Sequence, residues 1–178
     1  MWFMRITLLL AVVFSAACQS NKPLETVDYV DLQRFMGDWY VIANIPTFLE
    51  KNAYNPIESY RLEQDGSIAT TFSFNAGAMD GEKKVYRPRG FIVNSKTNAE
   101  WGMQFIWPIK ADYRIVYLDE NYQHTIIARN KLDYVWIMAR QPEISEKMMQ
   151  ELTQFVASLG YDSSLLEIAP HKIPKSHK

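Results

Sequence analysis

The sequence predicts an all-β fold with one C-terminal helix, built as an eight-stranded antiparallel up-and-down β-barrel. Three observations predict it. Between Trp39 and Arg140, eight short runs alternate apolar and polar side chains, which is the period of a half-buried strand. Short polar connections join the runs, with turn sequences such as Gln64-Asp65-Gly66 and Asp119-Glu120-Asn121. One helical pattern follows the last run, as expected of a helix packed on the outside of a closed sheet. At 178 residues the chain has room for one domain and a sizeable core.

Residues 1–17 stand apart from the rest. Arg5 gives a basic start, Ile6–Phe14 an apolar run, and Ser15-Ala16-Ala17 a stretch of small residues before Cys18, the only cysteine. The apolar run is shorter than the roughly 20 residues that span a bilayer, so it reads as an export leader that is removed. Small residues directly before a lone cysteine resemble the lipobox of bacterial lipoproteins. That resemblance implies cleavage before Cys18 and acylation of Cys18 as a membrane anchor. Gln19, rather than Asp, implies sorting to the outer membrane, while Ser15 stands where the motif usually has Leu. Several acyl chains on one residue exceed the roughly two signals that stable anchoring requires. With Cys18 acylated, no thiol is left for disulfides or catalysis. Residues 18–29 read as the lipidated cysteine and a polar tether containing Asn21, Lys22 and Pro23.

The barrel domain is expected over residues 30–170. Its strand candidates are Trp39–Ile45, Ile57–Leu62, Ser67–Phe74, Lys84–Val93, Glu100–Trp107, Tyr113–Leu118, Gln123–Arg129 and Tyr134–Arg140. Longer connections fall at Pro46–Pro56 and Asn75–Lys83. Pro142 ends the last strand, Ser145 is the N-cap of a helix over about 145–159, and Gly160 stops it. Met148, Leu152, Phe155, Val156 and Leu159 form its apolar face. Leu165–Ile168 reads as a short final strand, and residues 171–178 as a loose basic tail.

In an eight-stranded meander, the first strand begins at the end where the last one finishes. Trp39 and Arg140 therefore meet at one barrel end, where a guanidinium over an indole makes a cation–π pair that can plug it. Here the motifs resemble the lipocalin family. Gly37-Asp38-Trp39-Tyr40, after the turn Leu32–Met36, is similar to the first signature, Gly-x-Trp, and Asp133–Arg140 to the third, whose arginine covers that tryptophan. The second signature is partly matched by Leu118–Tyr122, with Asp119 and a displaced Tyr122. Those residues and Gly160-Tyr161-Asp162 resemble the bacterial outer-membrane lipoprotein branch, akin to apolipoprotein D.

The resemblance implies a calyx closed by Gly37, Trp39, Asp119, Tyr122 and Arg140. It implies a hydrophobic ligand in the lumen, and by alternation the lining is expected from Trp101, Met103, Phe105, Trp107, Tyr113, Ile115, Tyr117, Tyr134, Trp136 and Met138. Phe72 and Phe74 are further candidates. The ligand expected is a fatty acid or lysophospholipid, bound and stored or transported in the bacterial cell envelope. The barrel would sit on the outer membrane, on its periplasmic face, as a monomer or homodimer. No cofactor, metal site or catalytic residue is assigned. A net charge of −1 argues against nucleic acid. The three histidines, His124, His171 and His177, form no His-x-x-x-His pairing, and no nucleophile elbow or phosphate loop appears, which argues against an enzyme. A filled barrel acting as an envelope scaffold is the alternative, with a lipid-modifying enzyme behind it.

Overall fold

The computed structural model describes residues 22–172, so the expected leader, Cys18 and residues 173–178 lie outside the described residues. The chain runs through α1 (Leu32–Phe35), β1 (Gly37–Ile45), β2 (Ala53–Leu62), β3 (Ile68–Ala76), β4 (Lys83–Tyr86) and β5 (Arg89–Ile92). It continues through β6 (Glu100–Ile106), β7 (Ile109–Leu118), β8 (His124–Ala128), β9 (Val135–Ala139), α2 (Glu146–Ser158) and β10 (Glu167–Ile168). All pairings are antiparallel, and β9 pairs back onto β1, closing the sheet into a barrel. Closure leaves the backbone of β1 and β9 paired with each other rather than presented as sheet edges.

One expected strand is two. Lys84–Val93 divides into β4, which pairs with the far half of β3, and β5, which pairs with the start of β3 and with β6. The break falls at Arg87-Pro88, because proline has no N–H for the ladder. The Pro88 carbonyl still accepts from the Thr70 N–H at 3.2 Å. β2 also starts earlier than its sequence pattern indicates, with a register shift between Tyr54 and Ile57. Beyond Tyr40 it leaves β1, and β10 takes its place beside Ala43 and Asn44.

Two apolar layers result. The inner one fills the barrel with Phe35, Trp39, Tyr60, Ile68, Trp101, Tyr113, Ile115, Ile127 and Met138. The outer one joins Ile126, Val135 and Ile137 on the sheet to Leu152 and Val156 on α2. The Ser145 hydroxyl accepts from the Met148 N–H, and Gly160 takes φ +99° just past the helix, so both ends match their sequence signals. Which side chain joins which layer depends on bulges as well as alternation. In β7 the register shifts between Ile115 and Tyr117, so the extra residue, Val116, throws Tyr117 onto the outer face. Its ring sits 5.4 Å from that of Phe155 on α2, which removes it from the expected lumen set.

Candidate ligand-binding site

The closed end is built around Arg140. Its guanidinium lies 3.8 Å from the Trp39 ring centre. One terminal nitrogen donates to the Asp38 carbonyl at 2.7 Å, and the other reaches the carbonyls of Arg34, Phe35 and Met36 at 2.8, 3.0 and 2.9 Å. One side chain thus satisfies the carbonyls with which α1 ends. The Trp39 indole donates to Phe35 O at 2.8 Å. Burial lowers the Arg140 pKa to about 10, which still leaves it charged at neutral pH.

The other expected closing residues meet there too. Gly37 takes φ +92°, a conformation other residues adopt only with strain. Asp119 holds its turn by accepting from the Gln123 N–H at 2.7 Å and pairing with His124 Nδ1 at 2.6 Å. The Tyr122 hydroxyl accepts from the Asp31 N–H at 2.9 Å, and the Arg34 guanidinium covers the Tyr122 ring at 4.0 Å.

Above this plug aromatic rings fill the lower barrel. Trp101 stacks on Tyr113 at 5.2 Å, and Phe35 and Tyr60 meet Trp101 edge-on at 5.5 and 5.7 Å. The remaining space is a cavity of about 300 Å³ reaching the open end. Its deeper wall includes Glu58, Phe72, Met103 and Tyr113, and its mouth includes Phe48, Phe105, Asp112, Arg129 and Tyr134.

Residues 30–171 match the family model of the lipocalin-like domain. The chain belongs to the lipocalin family. Lipocalins bind small hydrophobic ligands and are generally not enzymes. This lipocalin is 30% identical to temperature-induced lipocalin-1 of Arabidopsis thaliana over 165 residues, 88% of this chain and 85% of the relative. It is 27% identical to the outer membrane lipoprotein Blc of Escherichia coli K12 over 168 residues, covering 90% and 94% of the two chains. The solved structure of insecticyanin from the tobacco hornworm Manduca sexta superposes with a TM-score of 0.66 over 87% of each chain, at 15% identity.

The lipocalin divides the expected lumen residues into groups. Met103, Phe105, Tyr113, Tyr134 and Trp136 line the cavity. Trp101, Ile115 and Met138 face inward, but packed neighbours cover them almost completely and they do not reach the cavity. Trp107 is 82% exposed, because β6 ends at Ile106 and the turn carries the indole past the wall. Together with Tyr117, it corrects the inward set drawn from uninterrupted alternation.

The polar groups in the cavity were the part that alternation of apolar residues missed. Glu50 in the mouth loop accepts from the Trp136 indole at 2.7 Å and from the Thr47 N–H at 2.8 Å. Deeper, Glu58 accepts from the Tyr60 hydroxyl, which in turn lies 2.6 Å from the Tyr113 hydroxyl. Burial, with a smaller push from the Glu50 charge, raises the Glu58 pKa to about 8. The same burial, and then Glu58, hold the Tyr113 hydroxyl well above its ordinary value. A sequence signal for Glu58 existed, since it sits two residues before Tyr60 and shares its inward face.

Tyr161 explains the Gly-Tyr-Asp sequence. Its hydroxyl accepts from the Arg129 N–H at 2.9 Å and lies 3.0 and 2.9 Å from the Arg129 and Tyr134 carbonyls. Burial raises its pKa to about 12, so it remains a neutral phenol tying the segment after α2 to the β8–β9 loop. Within that loop, Arg129 pairs with Asp133 at 3.4 Å. Its Nε is buried with no hydrogen-bond partner among the described residues.

Proposed function

We propose that this lipocalin is a membrane-anchored carrier in the bacterial cell envelope that binds and stores or transports a fatty acid or lysophospholipid. The apolar cavity opening opposite the Trp39/Arg140 plug is the observation that carries the reading. Its 300 Å³ falls at the lower edge of the roughly 300–1,000 Å³ usual for small-molecule sites. Each buried methylene contributes about 0.8 kcal/mol, so ten give roughly 8 kcal/mol before the costs of association. Those costs bring the affinity to about micromolar.

The acyl chain enters tail-first. Among the described residues the deep wall offers Phe72, Met103, Tyr113 and a Glu58 that is mostly protonated at neutral pH, with no cation, so a carboxylate driven there would find no countercharge. The Arg129 side chain lines the mouth, where its guanidinium pairs with Asp133 at 3.4 Å, and this cation supports a headgroup held there as carboxylate or phosphate. The anchor on Cys18 and the outer-membrane location rest on the leader and lipobox residues. They are supported by similarity to relatives named as outer membrane lipoproteins.

The test is tryptophan emission during titration with palmitate, hexadecanol and lysophosphatidylcholine. All three should give saturable quenching near micromolar concentration, and Trp136→Phe should remove most of the signal. Arg129→Ala should weaken palmitate about tenfold and hexadecanol little. A folded protein that responds to none of the three would instead support the scaffold with a barrel too full to bind.

A further inference from the structure

We propose that the open rim of the barrel is a membrane-docking surface, which sets the cavity mouth directly against the bilayer. Five large apolar side chains stand exposed on two neighbouring open-end segments: Phe48 at 79%, Phe105 at 50%, Ile106 at 71%, Trp107 at 82% and Ile109 at 69%. Phe48, Phe105 and Ile106 also line the cavity, so patch and mouth are continuous. The opposite end carries Arg34, Glu120 and Gln123 around its turns and, among the described residues, exposes only the separate side chains Tyr29 and Val93 rather than a cluster. An exposed tryptophan flanked by aliphatic tips, with the exposed Lys51 in the adjoining mouth loop, is the composition that settles at a lipid interface.

The path of the N-terminal segment identifies the occupant as a bilayer. Val30 is held at the closed end, where its N–H donates to Thr97 O at 2.8 Å. Val27 donates to Ile115 O at 3.0 Å, partway along the barrel. Leu24 has reached the open end, donating to Asn130 Oδ1 at 2.8 Å in the β8–β9 loop. The chain therefore leaves the barrel beside its mouth. From Leu24 back to Cys18 a fully extended chain spans at most about 20 Å, whereas the ten-residue strands, tilted as a closed barrel requires, make the wall about 25 Å tall. Acyl chains on Cys18 are thus confined near the apolar rim and cannot draw the closed end flat onto the same membrane. This inference rests on the lipoprotein reading above for the anchor, while the rim itself stands on exposure alone.

The experiment uses the full chain, expressed with its leader in a bacterial host and reconstituted into phosphatidylethanolamine–phosphatidylglycerol vesicles, with or without brominated acyl chains. The difference in emission between the wild-type protein and Trp107→Phe isolates Trp107. That component should be blue-shifted and at least halved by bromine, and the pair Phe48→Ser and Ile106→Ser should restore most of it. A vesicle-bound protein whose Trp107 component ignores bromine overturns the proposal. A blue shift without quenching, in a chain that crosslinks as a dimer, assigns the rim to a second copy and overturns it as well. Mass spectrometry of the same sample separates the two readings. An unacylated chain refutes the anchor, and its rim is then supported by flotation with Trp107 quenching or overturned by failure to float.

Discussion

Glu58 makes the stability of the barrel depend on pH. Folding raises its pKa from an ordinary 4.5 to about 8, because burial and the nearby Glu50 both disfavour the anion. Between those values the folded chain holds a proton that the unfolded chain has released. Stability therefore falls as pH rises from about 4.5 to about 8, by on the order of a few kcal/mol. Urea midpoints at pH 5 and pH 8.5 should show this fall, and Glu58→Gln should remove most of it; an unchanged slope would place the titrating group elsewhere. Arg140 gives a second prediction. Arg140→Ala leaves several carbonyls and an indole face uncovered and should cost about 3 kcal/mol in the same assay. Arg140→Lys keeps the charge without the planar fork, so it should recover only part of that loss. Pairing Trp39 with Arg140 was legible from the sequence, because the number of strands fixes which ends meet. Glu58 was not picked out, since a search for alternating apolar residues passes over a charged one on the inner face.

At the scale of elements, α2 seals the outer layer by burying Leu152 and Val156, with Met148, Met149 and Phe155 packed around them. Leu152→Ala should cost about 3 kcal/mol, whereas Lys147→Ala, removing an exposed pair with Glu151, should cost less than about 0.5 kcal/mol; thermal melts distinguish the two. The helix was legible almost residue for residue, because Ser145, its apolar spacing and Gly160 are all local signals. The strand runs were legible for the same reason. Pro88 was also visible in the sequence, yet the alternation on either side of it suggested one strand where there are two. The bulge at Val116 left no local mark. Its position follows from how β7 and β8 pair, which distant residues decide, and so Tyr117 was placed on the wrong face.

For the whole molecule, closure, the position of the mouth and the plug at the other end followed from topology. The depth of the cavity did not. It depends on how Phe35, Trp39, Tyr60, Trp101 and Tyr113, drawn from one helix and four strands, share the lower barrel, and no spacing rule describes that packing. The aromatic floor that results makes the site a ruler. An acyl tail descends until it meets the floor, and every methylene beyond that length stays at the mouth. Across saturated fatty acids from hexanoate to stearate, affinity should climb with each added carbon and then level off. Tyr113→Ala, by lowering the floor at a residue that lines the cavity, should move that plateau towards longer chains.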